Sequence, residues 1–313
     1  CPNNCDPSGI TNRDINIING SSHVFVDHIK KQEREVHYMI EVSNLSYQLG
    51  NRLLLEDISF KTNSFELLAI LGPNGAAKST LLKILSKQIK TYLGDVKIKG
   101  EDLKKLDLNS LSKFRAVLPQ SNYLNINLTV FDVILMGRYP HFKANPNRDD
   151  IEICHLVLEE MGLTKYKDCF IHQLSGGEQQ RVQLARVLAQ IYADQQAILL
   201  MDEPITGLDL QYQQIILEKA RLLADKGVTV ICVLHDINLA SQFADRILLL
   251  KNGKKMAYGC PKMVLTEDLI YNTYKIRVKK IQVDEIEYPI IVPYTARPSS
   301  KVNQKDSFII SYK

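Results

Sequence analysis

From residue 38 to about residue 274 the chain alternates between two hydrophobic periods. Compact apolar runs at 65–71, 197–201 and 228–234 predict strands buried on both faces. Residues 39–42, 54–62, 95–99 and 114–120 predict further strands, the last of them stopped by Pro119 with Gln120 at its carboxyl end. Helices are predicted at 78–87 and 179–190 and from a cap at Asp209 to Lys226. Between 121 and 172 the signals are purely helical. Thr129-x-x-Asp132 has the form of a capping box opening a helix through Met136, which Gly137-Arg138-Tyr139-Pro140-His141 ends. Asp149 and Asp150 open another, with Ile151, Cys154, Leu158 and Met161 at helical spacing and Gly162 past its end. Residues 246–251 and 254–258, joined by Asn252-Gly253, predict a hairpin with a type I′ turn. The sum is an α/β core with an all-helical insert at 121–172.

The flanks differ. Residues 1–37 are rich in Asn, Ser, Asp and Lys without a sustained period, which predicts a poorly ordered extension. From 261 the pattern is helical, then strand-like, and the domain is expected to span 38–275 with 276–313 as a C-terminal extension.

Composition changes this picture little. A net charge of +4 with interspersed signs gives no argument for a nucleic-acid partner. No apolar run approaches the ~18 residues needed to span a bilayer, and there is no leader of the secretory kind, so the chain is expected to stay outside the membrane. Of six cysteines only Cys1 and Cys5 are close, and a lone C-x-x-x-C leaves both a weak metal site and two free thiols open. The scatter of the others suits a reducing compartment.

The chemistry begins where the run 65–71 breaks into Gly72-Pro73-Asn74-Gly75-Ala76-Ala77-Lys78-Ser79-Thr80. A strand, a Gly/Pro/Asn turn and a helix start present consecutive backbone N–H groups to one anion, which is the layout of a phosphate-binding loop. Lys78 would reach the β- and γ-phosphates, and the Ser79 hydroxyl would sit on Mg²⁺. The pattern calls for glycine before the lysine, and Ala77 stands there. If that residue needs positive φ, the methyl costs on the order of 1–2 kcal/mol in backbone strain; if φ is helical, only contact with phosphate or the packed loop matters.

Several other positions gain meaning beside that loop. Asp202 and Glu203 follow a buried strand, which delivers both carboxylates to a carboxyl edge where α/β sheets bind ligands. His235 ends the next strand on the same edge, as a structural residue or a site residue. Gln120 offers one acceptor and two donors. Ser175-Gly176-Gly177-Glu178 opens a long helix and predicts a second anion site with exposed N–H groups. Tyr47 could stack on a base or simply pack at a strand end.

In this order the motifs resemble the ATP-binding cassette (ABC) family over about residues 38–274. The resemblance implies its α/β ABC ATPase fold: a P-loop parallel core sheet, an antiparallel β subdomain and the helical insert. It implies ATP and Mg²⁺ as cofactors, adenine stacking by Tyr47, a Walker A loop at 72–80 and a Q-loop at Gln120. Leu174 to Glu178 is similar to the signature, Asp202 and Glu203 to the Walker B aspartate and catalytic base, Gly207-Leu208-Asp209 to the D-loop, and His235 to the switch histidine. Metal ligation would fall to Ser79, Asp202 and Gln120.

Within the family, residues 137–141, the run SGGEQQRVQLARVLAQ at 175–190 and Leu234 to Ala240 look like the ATPases of bacterial haem, siderophore and cobalamin importers, the second most like the haem type. That implies a homodimer, peripheral on the cytoplasmic face of the inner membrane, docked on two permease subunits and served indirectly by a substrate-binding protein. Arg138, Tyr139 and His141 are expected near the groove that faces the permease. The competing readings are a soluble cassette ATPase that transports nothing and, from Ala77, a scaffold that binds nucleotide weakly.

Overall fold

The computed structural model describes residues 38–120, 127–192, 194 and 196–295. The expected N-terminal extension and the chain from 296 lie outside the described residues.

Strands β1 (Ile40–Leu49) and β2 (Arg52–Thr62) form an antiparallel pair, which β4 (Leu93–Ile98) and the two-residue β5 (Glu101–Asp102) extend into a four-stranded sheet ordered β2-β1-β4-β5. The second sheet has the order β10-β9-β3-β8-β7-β6, with β3 at Leu67–Leu71, β6 at Arg115–Leu118, β7 at Ile198–Asp202, β8 at Thr229–Val233, β9 at Arg246–Lys251 and β10 at Lys254–Gly259. Its neighbours run parallel except β10, the antiparallel edge. Asn252 and Gly253 between β9 and β10 both have positive φ (48° and 76°), as a type I′ turn requires.

The apolar runs are unbroken because two layers need them. On β3, Leu67, Ala69 and Leu71 face one core, and Leu68 and Ile70 face the other. β7 and β8 divide their residues the same way. One core packs under the antiparallel sheet and α1 (Lys78–Leu85); α2 (Leu108–Phe114) adds Leu111 to it. The other lies under α3 (Val130–Met136), α4 (Arg148–Glu160), α5 (Gly176–Ile191), α6 (Leu210–Asp225), α7 (Ile237–Phe243), α8 (Pro261–Val264) and α9 (Glu267–Tyr274).

Helix α2 is absent from the sequence-level reading, which ran a strand back to Phe114. Its signal was Asp107, whose carboxylate accepts the Ser110 N–H, but with only Leu111 buried it shows no apolar face. The capping box at Thr129 and Asp132 forms as expected, and α4 opens with a second one, between Asn147 and Asp150.

The expectation for Arg138 requires correction. Arg138 is 5% exposed, its guanidinium ion-paired to Asp150 at 3.0 Å and donating to the Ala189 carbonyl at 2.7 Å. His141 meets the Gln190 carbonyl at 2.7 Å. The last carbonyls of a helix lack partners of their own, and these two side chains supply them for α5. Residues 137–141 are thus a joint binding α3, α4 and α5; of the three residues Arg138 is buried, His141 half-buried and Tyr139 exposed at 58%.

Residues 276–295 are not peripheral to the core. β11 (Val278–Ile281) and β12 (Ile290–Pro293) pair, and Val278 and Ile291 are buried in the main core. Asn238 on α7 exchanges two hydrogen bonds with Ile291, at 3.1 and 2.8 Å.

Candidate active site

Parallel pairing puts the carboxyl ends of β3, β6, β7 and β8 on one edge. Asp202 lies level with Val233, which lies level with Ile70, and Leu118 lies level with Met201. The residues that follow these strands therefore gather whatever their separation in sequence.

The phosphate loop is preformed. At Gly72 a Cβ would meet the Leu250 carbonyl oxygen at 2.3 Å, so only glycine fits. The Ala76 N–H closes a turn on the Pro73 carbonyl at 3.1 Å, over Asn74 and Gly75. Lys78 curls back over this turn, donating to the Gly72 and Pro73 carbonyls at 2.8 and 3.3 Å. Burial lowers the pKa of its ammonium, while Glu203 and Asp202 oppose the shift. Ala77 has φ 70° and ψ 26°, the left-handed conformation, so the first of the two alternatives is the observed one. Its half-buried methyl packs against the core beneath the antiparallel sheet.

Helix α1 has no side-chain cap and no acid in its first turn. Among the described residues α4, α5, α6 and α9, the other α-helices of eight or more residues, are each capped by a side chain: Asn147, Ser175, Asp209 and Thr266. The orphan N–H groups of α1, which contains Lys78, Ser79 and Thr80, are left for an anion.

Opposite stand the acids. The Ser79 hydroxyl donates to Asp202 at 2.9 Å. Burial raises the Asp202 pKa, partly offset by that hydrogen bond. Glu203 takes φ 50°, a strained conformation for a non-glycine residue, and its side chain is 14% exposed. One carboxylate oxygen lies 2.6 Å from His235 Nε2, and the other accepts the Gln120 amide at 2.8 Å. Thr206, which nothing in the sequence singled out, lies at the limit of hydrogen bonding to that second oxygen, 3.5 Å away.

The other expected residues lie elsewhere. Tyr47 is half-buried on β1 and packs on the same core as Ala77. Ser175 caps α5, and Glu178 returns the bond to Ser175 N–H at 2.9 Å. The Tyr166 hydroxyl also donates to Glu178, and that bond holds its carboxyl below the usual range. At the signature turn the N-terminus of α5 thus carries its own glutamate, where α1 carries none. Gly177 packs so tightly on Tyr212 that a Cβ would meet the ring at 2.8 Å, and Asp209 caps α6 through the Tyr212 N–H. Among the described residues no hydrogen bond or ion pair joins Ser175, Gly176 or Gly177 to the phosphate loop.

An α/β sheet with this loop, this acid pair and a helical insert defines a nucleotide-hydrolysing ATP-binding cassette. The family model for ABC transporters matches residues 55–206. The chain is 40% identical over 258 residues to the hemin import ATP-binding protein HmuV of Gloeobacter violaceus, covering 82% of this chain and 94% of that protein. It is 42% identical over 254 residues to HmuV of Deinococcus radiodurans, covering 81% and 96%. Among solved structures, a metal-chelate type ABC transporter in an inward-facing conformation superposes with a TM-score of 0.71 at 26% identity, over 83% of this chain and 98% of that one. A nucleotide-free cassette from another ABC transporter, at 22% identity and a TM-score of 0.65, shares the fold. The chain belongs to the ABC transporter family, as an ATP-binding subunit that hydrolyses ATP.

Proposed function

We propose that this chain powers uptake of haemin through a partner permease. The observation that carries the catalytic part is the Glu203 carboxylate, held between His235 and Gln120 on the edge where the phosphate loop opens. The cargo rests on the hemin import relatives.

In this reading Lys78 and the α1 N-terminus bind the phosphates, and Tyr47 stacks on the adenine. Glu203 orients the attacking water and takes its proton, while His235 turns from Glu203 to the γ-phosphate. Hard oxygen donors suit a divalent cation: the Ser79 hydroxyl, the Asp202 carboxylate and the side-chain carbonyl of Gln120, whose amide nitrogen serves Glu203. Among the described residues no three His, Cys, Asp or Glu side chains form a self-sufficient cation site, which suits an ion whose shell is completed by phosphate and water. Bound there, Mg²⁺ would neutralise charge developing between the β- and γ-phosphates.

Ser175, Gly176 and Gly177 are assigned to the nucleotide of a second copy, making the working unit a homodimer in which Asp209 and the turn before it lie near the shared interface. None of the described helices is long and apolar enough to cross a membrane, which suits a peripheral subunit on the cytoplasmic face. Two permease subunits complete the assembly, and a substrate-binding protein delivers cargo to them. Similarity to a metal-chelate type transporter favours iron–siderophore or cobalamin as the second reading of the cargo.

Glu203→Gln tests the mechanism. It should bind ATP but turn over at least about 100-fold more slowly, and elute as a dimer with ATP and Mg²⁺. Hydrolysis at the parent rate would remove Glu203 from the role. Cells relying on Glu203→Gln should lose growth on haemin as sole iron source. Growth retained on haemin but lost on a ferric siderophore or at limiting cobalamin would reassign the cargo.

A further inference from the structure

Tyr47 and the phosphate loop stand on different sheets: Tyr47 on β1 of the antiparallel sheet, the loop at the end of β3 in the other. The β9–β10 hairpin ties one to the other. On one side the Leu250 carbonyl crowds Gly72, where a Cβ would stand 2.3 Å from its oxygen. Three residues later the turn crowds β2 in the same way. A Cβ on Gly253 would lie 2.2 Å from the Leu54 carbonyl oxygen and 3.4 Å from the Leu55 Cα. Leu55 is the residue that pairs with Tyr47 across the β1–β2 ladder. The Glu56 N–H donates to the Gly253 carbonyl at 2.9 Å. From there β10 keeps to the edge of β2, Lys255 donating to the Ser59 carbonyl at 2.7 Å and the Tyr258 hydroxyl to the Lys61 carbonyl.

Both close approaches demand glycine, and Gly253 also needs it for its φ of 76°. Backbone packed on backbone at both ends of a four-residue span leaves little room for one sheet to shift against the other here. We propose that Gly253 is a positioning residue for the nucleoside half of the nucleotide. The β9–β10 turn sets the span between Tyr47 and the phosphate loop, so that a diphosphate seated in the loop presents its base to the Tyr47 ring. The span is fixed before any ligand arrives, which spares binding the cost of ordering the two halves of the site.

The inference rests on Tyr47 and the phosphate loop being the two halves of the nucleotide site, and the experiment separates the two. ADP and inorganic pyrophosphate, each with Mg²⁺, are titrated into the full-length parent, Gly253→Ala, Tyr47→Ala, the double variant and Lys78→Ala. Pyrophosphate reads the loop alone, and ADP reads the loop plus the base. Gly253→Ala should weaken ADP about fivefold to tenfold, the loss expected when stacking is misaligned, and leave pyrophosphate unchanged. Adding Tyr47→Ala to it should cost ADP little more, because both changes act through one contact. One glycine inserted between Asn252 and Gly253 alters the span without a clashing methyl and should give the same selective loss. Equal weakening of both ligands in these two variants, or loss of pyrophosphate binding in both, makes the turn general scaffold and overturns the inference. So does an unchanged affinity for ADP in Gly253→Ala where Tyr47→Ala is impaired, which leaves the site itself intact. If Tyr47→Ala binds ADP as the parent does, or Lys78→Ala binds pyrophosphate as the parent does, the reading of the site is wrong and the inference falls with it.

Discussion

At the scale of single residues, Ala77 shows how geometry relocates an energetic cost. Its sequence position suggests that ATP binds ten- to a hundredfold more weakly than it would with glycine. The structure has the residue already left-handed in the nucleotide-free loop, with its methyl turned toward the core. Strain present before the ligand arrives weighs on folding and largely cancels in binding. Ala77→Gly should therefore stabilise the fold by about 1 kcal/mol, raising the melting temperature by roughly 2–4 °C. ATP affinity should change by less than about threefold, as nucleotide titration of both proteins would read. A gain of tenfold or more would mean that the loop reorganises on binding and that the methyl obstructs it.

Among elements, the joint at residues 137–141 matters most. The sequence assigned Arg138 to a partner surface, where reversing its charge would uncouple transport and spare hydrolysis. A guanidinium that pairs with Asp150 and closes the end of α5 cannot act that way. Removing one partner of a buried ion pair costs about 3–5 kcal/mol, and Arg138→Ala should lower the melting temperature by about 10 °C. ATPase activity and transport should fall together near that temperature. A variant melting with the parent would return Arg138 to the surface role. Tyr139 stays exposed beside that joint, its ring packed edge-on against Phe142 at 5.6 Å.

For the whole molecule, the point at issue is where the domain ends. Ending the chain at Lys275 would strip Val278 and Ile291 from the core and the Asn238 and Ser241 hydrogen bonds from α7. Fully burying an apolar side chain contributes about 1.5–3 kcal/mol, so the truncated protein should melt about 10 °C lower in a thermal scan. A truncation that melts with the full chain would make the β11–β12 pair an appendage.

What the sequence by itself determined was local. Short runs of adjacent residues encode a phosphate loop, a capping box, a two-residue hairpin turn or a buried strand ending in acids, since each depends on neighbours within a few positions. On the same grounds the helical insert and the candidate residues 72–80, 120, 202, 203 and 235 were legible. Helix α2 was not, for want of an apolar face. Only the tertiary structure decided what the sheet register brings together. Gln120 and Glu203, 83 positions apart, share a hydrogen bond because β6 and β7 are level at their ends. Arg138 reads as a surface charge until α5 arrives to be capped. The conformation of Ala77 was likewise open in the sequence, because its φ is set by the surrounding loop and the core on which its methyl rests.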